Sequence, residues 1–214
     1  MSNPLILFDF DYTLFDASAC LFPALRKGLQ MIGRFDPADS VLKRLIGIPL
    51  FQQFVILTGS HDRKLYEVFK STYIKERAMH EVDGTRPLPG AILAIKSLNN
   101  DRYQLGVVST GARQRILKAL NQFSALSYFG DDAIIGGAAS KGEAIRSALV
   151  HFHARREDTL YVGDRPDDHD ASIAAGVTFI GVATGAFSEK DFPDGCIVLS
   201  SVAVLPEYLE RTSV

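Results

Sequence analysis

The chain has 214 residues, of which 47% are hydrophobic and 22% are charged, the balance of a globular protein rather than a disordered or fibrous one. Its 23 Lys and Arg residues nearly offset its 25 Asp and Glu residues, giving a net charge of −2, which excludes binding of nucleic acid by bulk charge. The two cysteines, Cys20 and Cys196, provide neither a disulfide framework nor a zinc motif and favour a reducing, cytoplasmic location. Acidic residues interrupt the first apolar run, and no run is long enough to span a bilayer, so we expect no signal peptide and no membrane partner.

The first predicted strand covers 5–8, and the next convincing strand begins only at 103. A crossover between parallel strands needs about a dozen residues, so the connection holds an insertion. Residues 17–86 carry apolar side chains at helical spacing, which predicts a helical insert. We therefore expect a catalytic core of 1–16 and 87–214, a helical cap of 17–86, and linkers near Asp16 and 83–89.

Beyond the insert, β-branched and aromatic runs alternate with helical patterns, as in βαβ units. This predicts an α/β fold with a doubly wound, mostly parallel sheet and an inserted α-helical cap. The further predicted strands cover 103–108, 133–135, 159–162, 177–182 and 197–199, and the predicted helices cover 90–99, 114–123, 142–152 and 166–175.

Two acidic residues, Asp9 and Asp11, follow the first strand directly. Ligands of doubly wound folds bind beyond the carboxyl ends of the strands, so both carboxylates are candidates for a functional site. A lone pair of this kind is more often a solvated turn. The apolar run before the pair and Thr13 after it favour the functional interpretation, with Thr13 supporting the turn.

Hydroxyl and amine groups follow later strands. The segment 109–111 is Ser-Thr-Gly and leads from a buried strand into a helix, where hydroxyl and N–H groups can bind phosphate. Ser140 and Glu143 have capping-box spacing, which leaves Lys141 free to present a positive charge. Taken alone, each of these features is explained by helix capping or by surface solvation.

The strand 159–162 is also followed by acids, Asp164 and Asp168. Clustered carboxylates repel each other unless a cation joins them, and hard oxygen ligands suit Mg²⁺. Four strand ends thus carry, in chain order, acids, a hydroxyl, an amine and acids again. This combination outweighs the separate structural explanations and predicts one phosphate and metal site.

The combination resembles the haloacid dehalogenase superfamily over the length of the chain. The insertion point and the segment 46–50 are similar to the phosphoglycolate-phosphatase-like branch with a helical cap. Thr110, and Gly142 after the lysine, depart from the Asn and Pro common in that branch. The residues that carry the resemblance are Asp9, Asp11 and Thr13 for the nucleophile motif, Ser109 for the phosphate-binding hydroxyl, Lys141 for the third motif, and Gly163, Asp164 and Asp168 for the acidic motif.

The resemblance implies a phosphatase that cleaves a small-molecule phosphomonoester in two steps. Asp9 would attack phosphorus and form an aspartyl phosphate, and Asp11 would act as general acid and then as general base, which requires a raised pKa. Ser109, the N–H groups near Thr110 and Gly111, and Lys141 would hold the phosphate oxygens.

The resemblance also implies that Mg²⁺ is the cofactor. Its ligands would be the Asp9 carboxylate, the main-chain carbonyl of Asp11, and Asp164. Asp168 would bind the ion either directly or through water.

Three rival functions have specific arguments against them. A receiver-like signalling module would need no insert and would carry its phosphorylated Asp after a middle strand. A dehalogenase of the same superfamily would not need Asp11 as an acid, and a scaffold without activity would not retain Asp9, Asp11, Asp164 and Asp168 together. The substrate stays open between phosphoglycolate, a nucleotide and a sugar phosphate, and we expect a monomer or homodimer.

Overall fold

The structure is a computed structural model that describes residues 3–81, 83–100, 103–130 and 132–212. The chain divides into two compact units, one formed by Met1–Phe15 with Pro87–Val214 and the other by Asp16–Arg86. None of the helices in the described ranges combines the length and apolar character that a membrane span requires.

The first unit contains a six-stranded parallel sheet in the order β5-β4-β1-β6-β7-β8, so the predicted α/β fold is confirmed. A separate two-stranded sheet pairs β2 with β3, at the two points where the chain passes between the units. The strands are β1 (Leu5–Phe8), β2 (Phe15–Asp16), β3 (Arg86–Pro87), β4 (Gln104–Val108), β5 (Ile134–Ile135), β6 (Thr159–Gly163), β7 (Thr178–Val182) and β8 (Val198–Leu199).

The described ranges contain nine α-helices, four of them in the insert. They are α1 (Ser18–Met31), α2 (Asp39–Leu45), α3 (Leu50–Thr58), α4 (Arg63–His80), α5 (Ala91–Asn100), α6 (Arg113–Gln122), α7 (Lys141–His151), α8 (Pro166–Ala175) and α9 (Leu205–Thr212). The predicted helix 166–175 matches α8, and the other predicted core helices lie within one residue of α5, α6 and α7.

Strand β1 lies in the middle of the sheet because its side chains are apolar on both faces. Ile6 and Phe8 belong to one hydrophobic cluster, while Leu5 and Leu7 belong to the cluster on the other face. A strand buried on both faces is typical of a parallel sheet covered by helices on each side. Packing on both faces holds β1 in place up to Phe8, and Asp9 is the next residue.

The helical insert has its own packed interior. Helices α1 and α4 pack closely, and Gly28 of α1 lies so near Phe69 of α4 that a Cβ there would be 2.7 Å from the ring. The rings of Phe54 and Tyr66 lie 5.4 Å apart in an edge-on arrangement beside Phe69. Asp62 caps α4 by accepting hydrogen bonds from the N–H groups of Lys64 and Leu65. These contacts explain why the apolar spacing of 17–86 forms helices.

Candidate active site

The candidate site lies at the carboxyl end of β1, where the order of the strands reverses. Phe8 pairs with Val107 of β4 on one side and with Val162 of β6 on the other, and the N–H of Asp9 continues the ladder to Val162 O at 2.8 Å. Residues that follow β1, β4 and β6 therefore meet at one edge of the sheet, the position at which ligands bind in doubly wound folds.

A compact turn after β1 directs Asp9 and Asp11. The carbonyl of Phe10 accepts hydrogen bonds from the N–H groups of Leu14 and Phe15, both at 3.0 Å. Tyr12 has φ of 60°, an uncommon value for a residue with a side chain, and its carbonyl accepts a hydrogen bond from the Thr184 hydroxyl. The turn buries both acids, leaving Asp9 1% and Asp11 5% exposed.

Asp9, Asp164 and Asp168 form a buried carboxylate cluster, in which one oxygen from each lies within 4.8 Å of the others. Gly185 and Gly163 make room for it, because a Cβ at Gly185 would overlap the Asp164 carboxylate and one at Gly163 would overlap Asp168. The structure thus brings Asp9 together with two acids from a distant part of the sequence.

Lys141 supplies the positive charge of this cluster. It is the first residue of α7, and the Ser140 hydroxyl caps that helix by accepting a hydrogen bond from the N–H of Glu143 at 3.3 Å. The Lys141 ammonium donates to Asp168 and lies 3.1 Å from Asp9 Oδ2. The structure therefore places the Lys141 ammonium beside the carboxylates of Asp9 and Asp168.

The protonation of the cluster follows from burial and mutual repulsion. Burial raises the pKa of Asp168 to about 6, although Lys141 opposes the shift, and burial together with the charges of Asp168 and Asp9 raises the pKa of Asp164 well above its usual range. Burial lowers the pKa of Lys141, but the charges of Asp168 and Asp9 outweigh it and the net shift is upward. The amine is therefore a permanent cation.

The cluster fits a divalent metal. Among the described residues, no hydrogen-bond donor reaches Asp9 Oδ1, Asp164 Oδ1 or Asp168 Oδ2, although all three atoms are buried. Buried polar atoms are normally satisfied, so an orphaned set of carboxylate oxygens needs a further partner. Hard oxygen donors of this type suit Mg²⁺, and the three residues could hold such an ion.

Asp11 is held apart from the cluster by an ion pair with Arg115. The guanidinium donates to both carboxylate oxygens, from Nη1 to Oδ1 at 2.9 Å and from Nη2 to Oδ2 at 2.5 Å. Burial raises the pKa of Asp11 even though Arg115 opposes the shift, which agrees in direction with the acid role expected from the sequence.

The sequence analysis did not identify Arg115. The signal was a charged residue on the buried face of α6, where Ile116, Ala119 and Leu120 also lie. A long charged side chain at such a position needs a partner, but the partner is 104 positions away and is not visible without the fold. Arg113 has a different environment and donates to Ile134 O at 2.9 Å.

The segment 109–111 lies beside Asp11. The Ser109 hydroxyl accepts a hydrogen bond from the N–H of Gly111 at 3.1 Å. A Cβ built on Gly111 would lie 3.4 Å from both Ser109 Oγ and Asp11 Oδ2. The expected phosphate-binding segment and the expected acid therefore meet, and the N–H of Gly111 already has a partner within the segment.

Thr13 and His169 belong to the same segments as the site acids. Thr13 is fully buried in the turn after β1, in keeping with a supporting role. His169 lies in α8 with its ring edge-on to Phe179 and 3.2 Å from Asp170 Oδ1.

Sequence comparison identifies relatives along most of the chain. The family described as haloacid dehalogenase-like hydrolases matches residues 6–182. The pyrophosphatase PpaX of Halalkalibacterium halodurans is 26% identical over 80% of this chain and 80% of its own. The tyrosine-protein kinase PtkA of Mycobacterium tuberculosis is 25% identical over all of this chain and 74% of its own.

Solved structures share the fold. A crystal structure from Bacteroides fragilis, described as a haloacid dehalogenase-like hydrolase, has a TM-score of 0.88 and 32% identity, covering 95% of this chain and 100% of that one. A structure from Haemophilus somnus, described as a predicted phosphoglycolate phosphatase, has a TM-score of 0.83 and covers 97% of this chain and 98% of its own; at 18% identity this likeness concerns the fold.

These matches confirm the resemblance and the enzyme class that the motifs imply. The family covers 6–182, and the parallel sheet with its helical insert is the fold of the solved neighbours. The chain belongs to the family of haloacid dehalogenase-like hydrolases.

Proposed function

We propose that this chain is an Mg²⁺-dependent phosphatase that hydrolyses small phosphomonoesters through a phosphorylated Asp9. The observation that carries the proposal is the position of Asp9 at the centre of the site, where its carboxylate lies 3.1 Å from the Lys141 ammonium and within the cluster of Asp164 and Asp168. Positive charge beside a nucleophilic carboxylate is what the approach of a phosphate anion requires.

In the first step, an Asp9 oxygen forms a bond to phosphorus while the bond from phosphorus to the alcohol oxygen breaks. The proton on Asp11 passes to that departing oxygen. In the second step, a water oxygen forms a bond to phosphorus while the bond from phosphorus to the Asp9 oxygen breaks. Asp11 takes a proton from that water, and inorganic phosphate and the Asp9 carboxylate are released.

The phosphate oxygens would be held by the Ser109 hydroxyl, the main-chain N–H groups near Thr110 and Gly111, and Lys141. Because the N–H of Gly111 donates to Ser109 Oγ, a bound phosphate would have to replace that bond. Lys141 also orients Asp9, since its ammonium lies between Asp9 and Asp168.

Asp9, Asp164 and Asp168 would hold Mg²⁺, together with the main-chain carbonyl of Asp11. The ion supplies charge that offsets repulsion between the carboxylates and the phosphate. The orphaned oxygens of all three side chains support a direct position for Asp168.

The insert would serve as a cap that selects the substrate. Phosphoglycolate is our first candidate because the motifs and the solved neighbours include that branch, and a nucleotide or sugar phosphate comes next. The relatives named pyrophosphatase and tyrosine-protein kinase add pyrophosphate and ATP to the compounds worth testing. A receiver-like module is a weaker proposal, because the insert and the position of Asp9 after the first strand do not fit it.

The test is phosphate release from a panel of these compounds with Mg²⁺ and with EDTA. We expect turnover of at least one phosphomonoester, loss of activity in EDTA, and recovery when Mg²⁺ is restored, because the buried acids need a cation before an anionic substrate approaches. The variant Asp170→Asn, at an exposed acid in α8, is the matched control and should keep full activity. Full activity in EDTA would assign the acids a structural role, and transfer from ATP without release from any ester would favour a kinase.

A further inference from the structure

The ion pair between Arg115 and Asp11 is not part of the acid cluster. Arg115 holds both oxygens of Asp11 in a planar fork, at 2.9 and 2.5 Å, whereas the metal-binding set consists of Asp9, Asp164 and Asp168. A fork of this kind fixes the direction of a carboxylate as well as its charge.

Arg115 is buried next to the segment 109–111. Its side chain is 2% exposed, and its Nη2 lies 2.5 Å from the point where a Cβ on Gly111 would stand. The guanidinium lies over Phe10, with Cζ 5.2 Å from the ring centroid. Arg115 is thus a buried group beside Gly111 and Phe10 that donates side-chain hydrogen bonds to both carboxylate oxygens of Asp11.

The direction that Arg115 imposes on Asp11 matters for proton transfer. Asp11 Oδ2 is held beside the segment that carries Ser109, because both Asp11 Oδ2 and Ser109 Oγ lie 3.4 Å from the same point over Gly111. Without the two hydrogen bonds from Arg115, the Asp11 carboxylate would be able to turn toward the carboxylate cluster and the Lys141 ammonium.

We propose that Arg115 is a positioning residue that holds Asp11 beside the phosphate-binding segment for protonation of the leaving alcohol. This inference rests on the proposed phosphatase function. The proton moves from the Asp11 carboxyl to the alcohol oxygen as the bond from phosphorus to that oxygen breaks, and Arg115 stays charged throughout. A lysine would keep the charge but not the fork.

The experiment compares kcat/KM for two esters, an alkyl phosphate and p-nitrophenyl phosphate. The alkyl alcohol needs a proton to leave, whereas p-nitrophenolate leaves without one. Because kcat/KM covers the steps up to release of the first product, the ratio isolates protonation of the leaving group. If the wild-type enzyme hydrolysed neither ester, the proposed function would fail. The role of Arg115 is tested only after the wild-type enzyme has shown activity on both esters.

We expect Arg115→Lys to lower kcat/KM for the alkyl ester about tenfold or more and for p-nitrophenyl phosphate less than about threefold. The matched control is Arg113→Lys, at an exposed arginine of the same helix that donates to Ile134 O, and it should leave the ratio unchanged. Equal losses on the two esters would show that Arg115 acts only on stability and would overturn the proposal.

A second comparison uses the Asp11→Asn background, which removes the carboxylate and keeps its shape. Adding Arg115→Gln there should change the residual kcat/KM by less than about twofold, because no carboxylate remains to be positioned. A further loss of about tenfold or more would contradict the proposal. The double variant carries no charge at either position, so it leaves no unpaired buried ion. It therefore tests the positioning role even where Arg115→Lys alone does not give folded protein.

Discussion

Asp164 and Asp168 carry their pKa shifts for the same physical reason, since both are buried carboxylates beside other carboxylates. A raised pKa means that the folded protein binds the proton more tightly than the unfolded chain does. The resulting stabilisation is complete below the ordinary value of 3.8 and is lost as the pH rises through the folded value, which for Asp168 is about 6.

We therefore expect the melting temperature in EDTA to fall between about pH 4 and about pH 7, by about 2–4 °C for each kcal/mol lost. The variant Asp168→Asn should flatten this fall because its amide has no proton to lose. Asp170→Asn, at an exposed position, should leave the fall unchanged. Calorimetry at a series of pH values measures all three proteins, and identical slopes for Asp168→Asn and the wild type would contradict the assignment.

The site acids and Lys141 could be predicted at the residue scale because each lies shortly after a strand or in the first turn of a helix. In a parallel sheet, such residues meet at one edge whatever the details of packing. The pair of Asp11 and Arg115 could not be predicted in this way. Arg115 lies within α6, and its partner depends on how that helix packs against the turn after β1.

At the scale of elements, the start of α7 places the ammonium. Lys141 is the first helical residue, and Ser140 satisfies the free N–H of Glu143. A lost N-cap weakens the first turn and so loosens the residue that orients Asp9.

Replacing the cap by Ser140→Ala should lower the free energy of unfolding by about 1 kcal/mol. Ser147→Ala is the matched control, because that hydroxyl lies within the same helix and donates to Glu143 O. The control should change stability by no more than about 0.5 kcal/mol. Urea unfolding of the two variants measures the difference, and an unchanged stability for Ser140→Ala would show that the hydrogen bond at 3.3 Å adds nothing.

The elements that the sequence did not predict are short or terminal. Strands β2 and β3 have two residues each, too few to show a periodic pattern, and their pairing depends on where the insert leaves and rejoins the core. Helix α9 near the C-terminus was also missed. Strands β5 and β8 also have two residues each, but they were predicted because each lies in an apolar run within the alternation of strands and helices.

At the scale of the whole molecule, the chain combines a sheet that carries the candidate site with a helical unit that packs its own side chains. The sequence could predict the insert, since more than 90 residues separate the first two strands of the sheet. It could not predict the substrate. Under the proposed cap role, that choice would depend on side chains of the insert, and no local pattern specifies their contacts with a ligand.

Replacing residues 17–86 by a short Gly/Ser linker should leave Mg²⁺ binding intact, raise KM and reduce selectivity among phosphomonoesters. The expected reason is that contacts to the leaving group would be lost while Asp9, Ser109, Lys141 and Asp164 remained. Circular dichroism checks the fold, and the phosphate-release panel measures selectivity. A folded core with unchanged selectivity would place specificity in the core loops and give the insert another purpose, such as a partner interface.

The central claim is that the phosphoryl group passes through Asp9, and the most direct measurement is acid-quenched mass spectrometry of the enzyme during turnover with Mg²⁺. We expect a phosphoryl group on the peptide that contains Asp9, and we expect Asp9→Asn to lack it and to lose at least about 100-fold in kcat. A phosphoryl group on another residue, or turnover by Asp9→Asn at a tenth of the wild-type rate, would contradict the account.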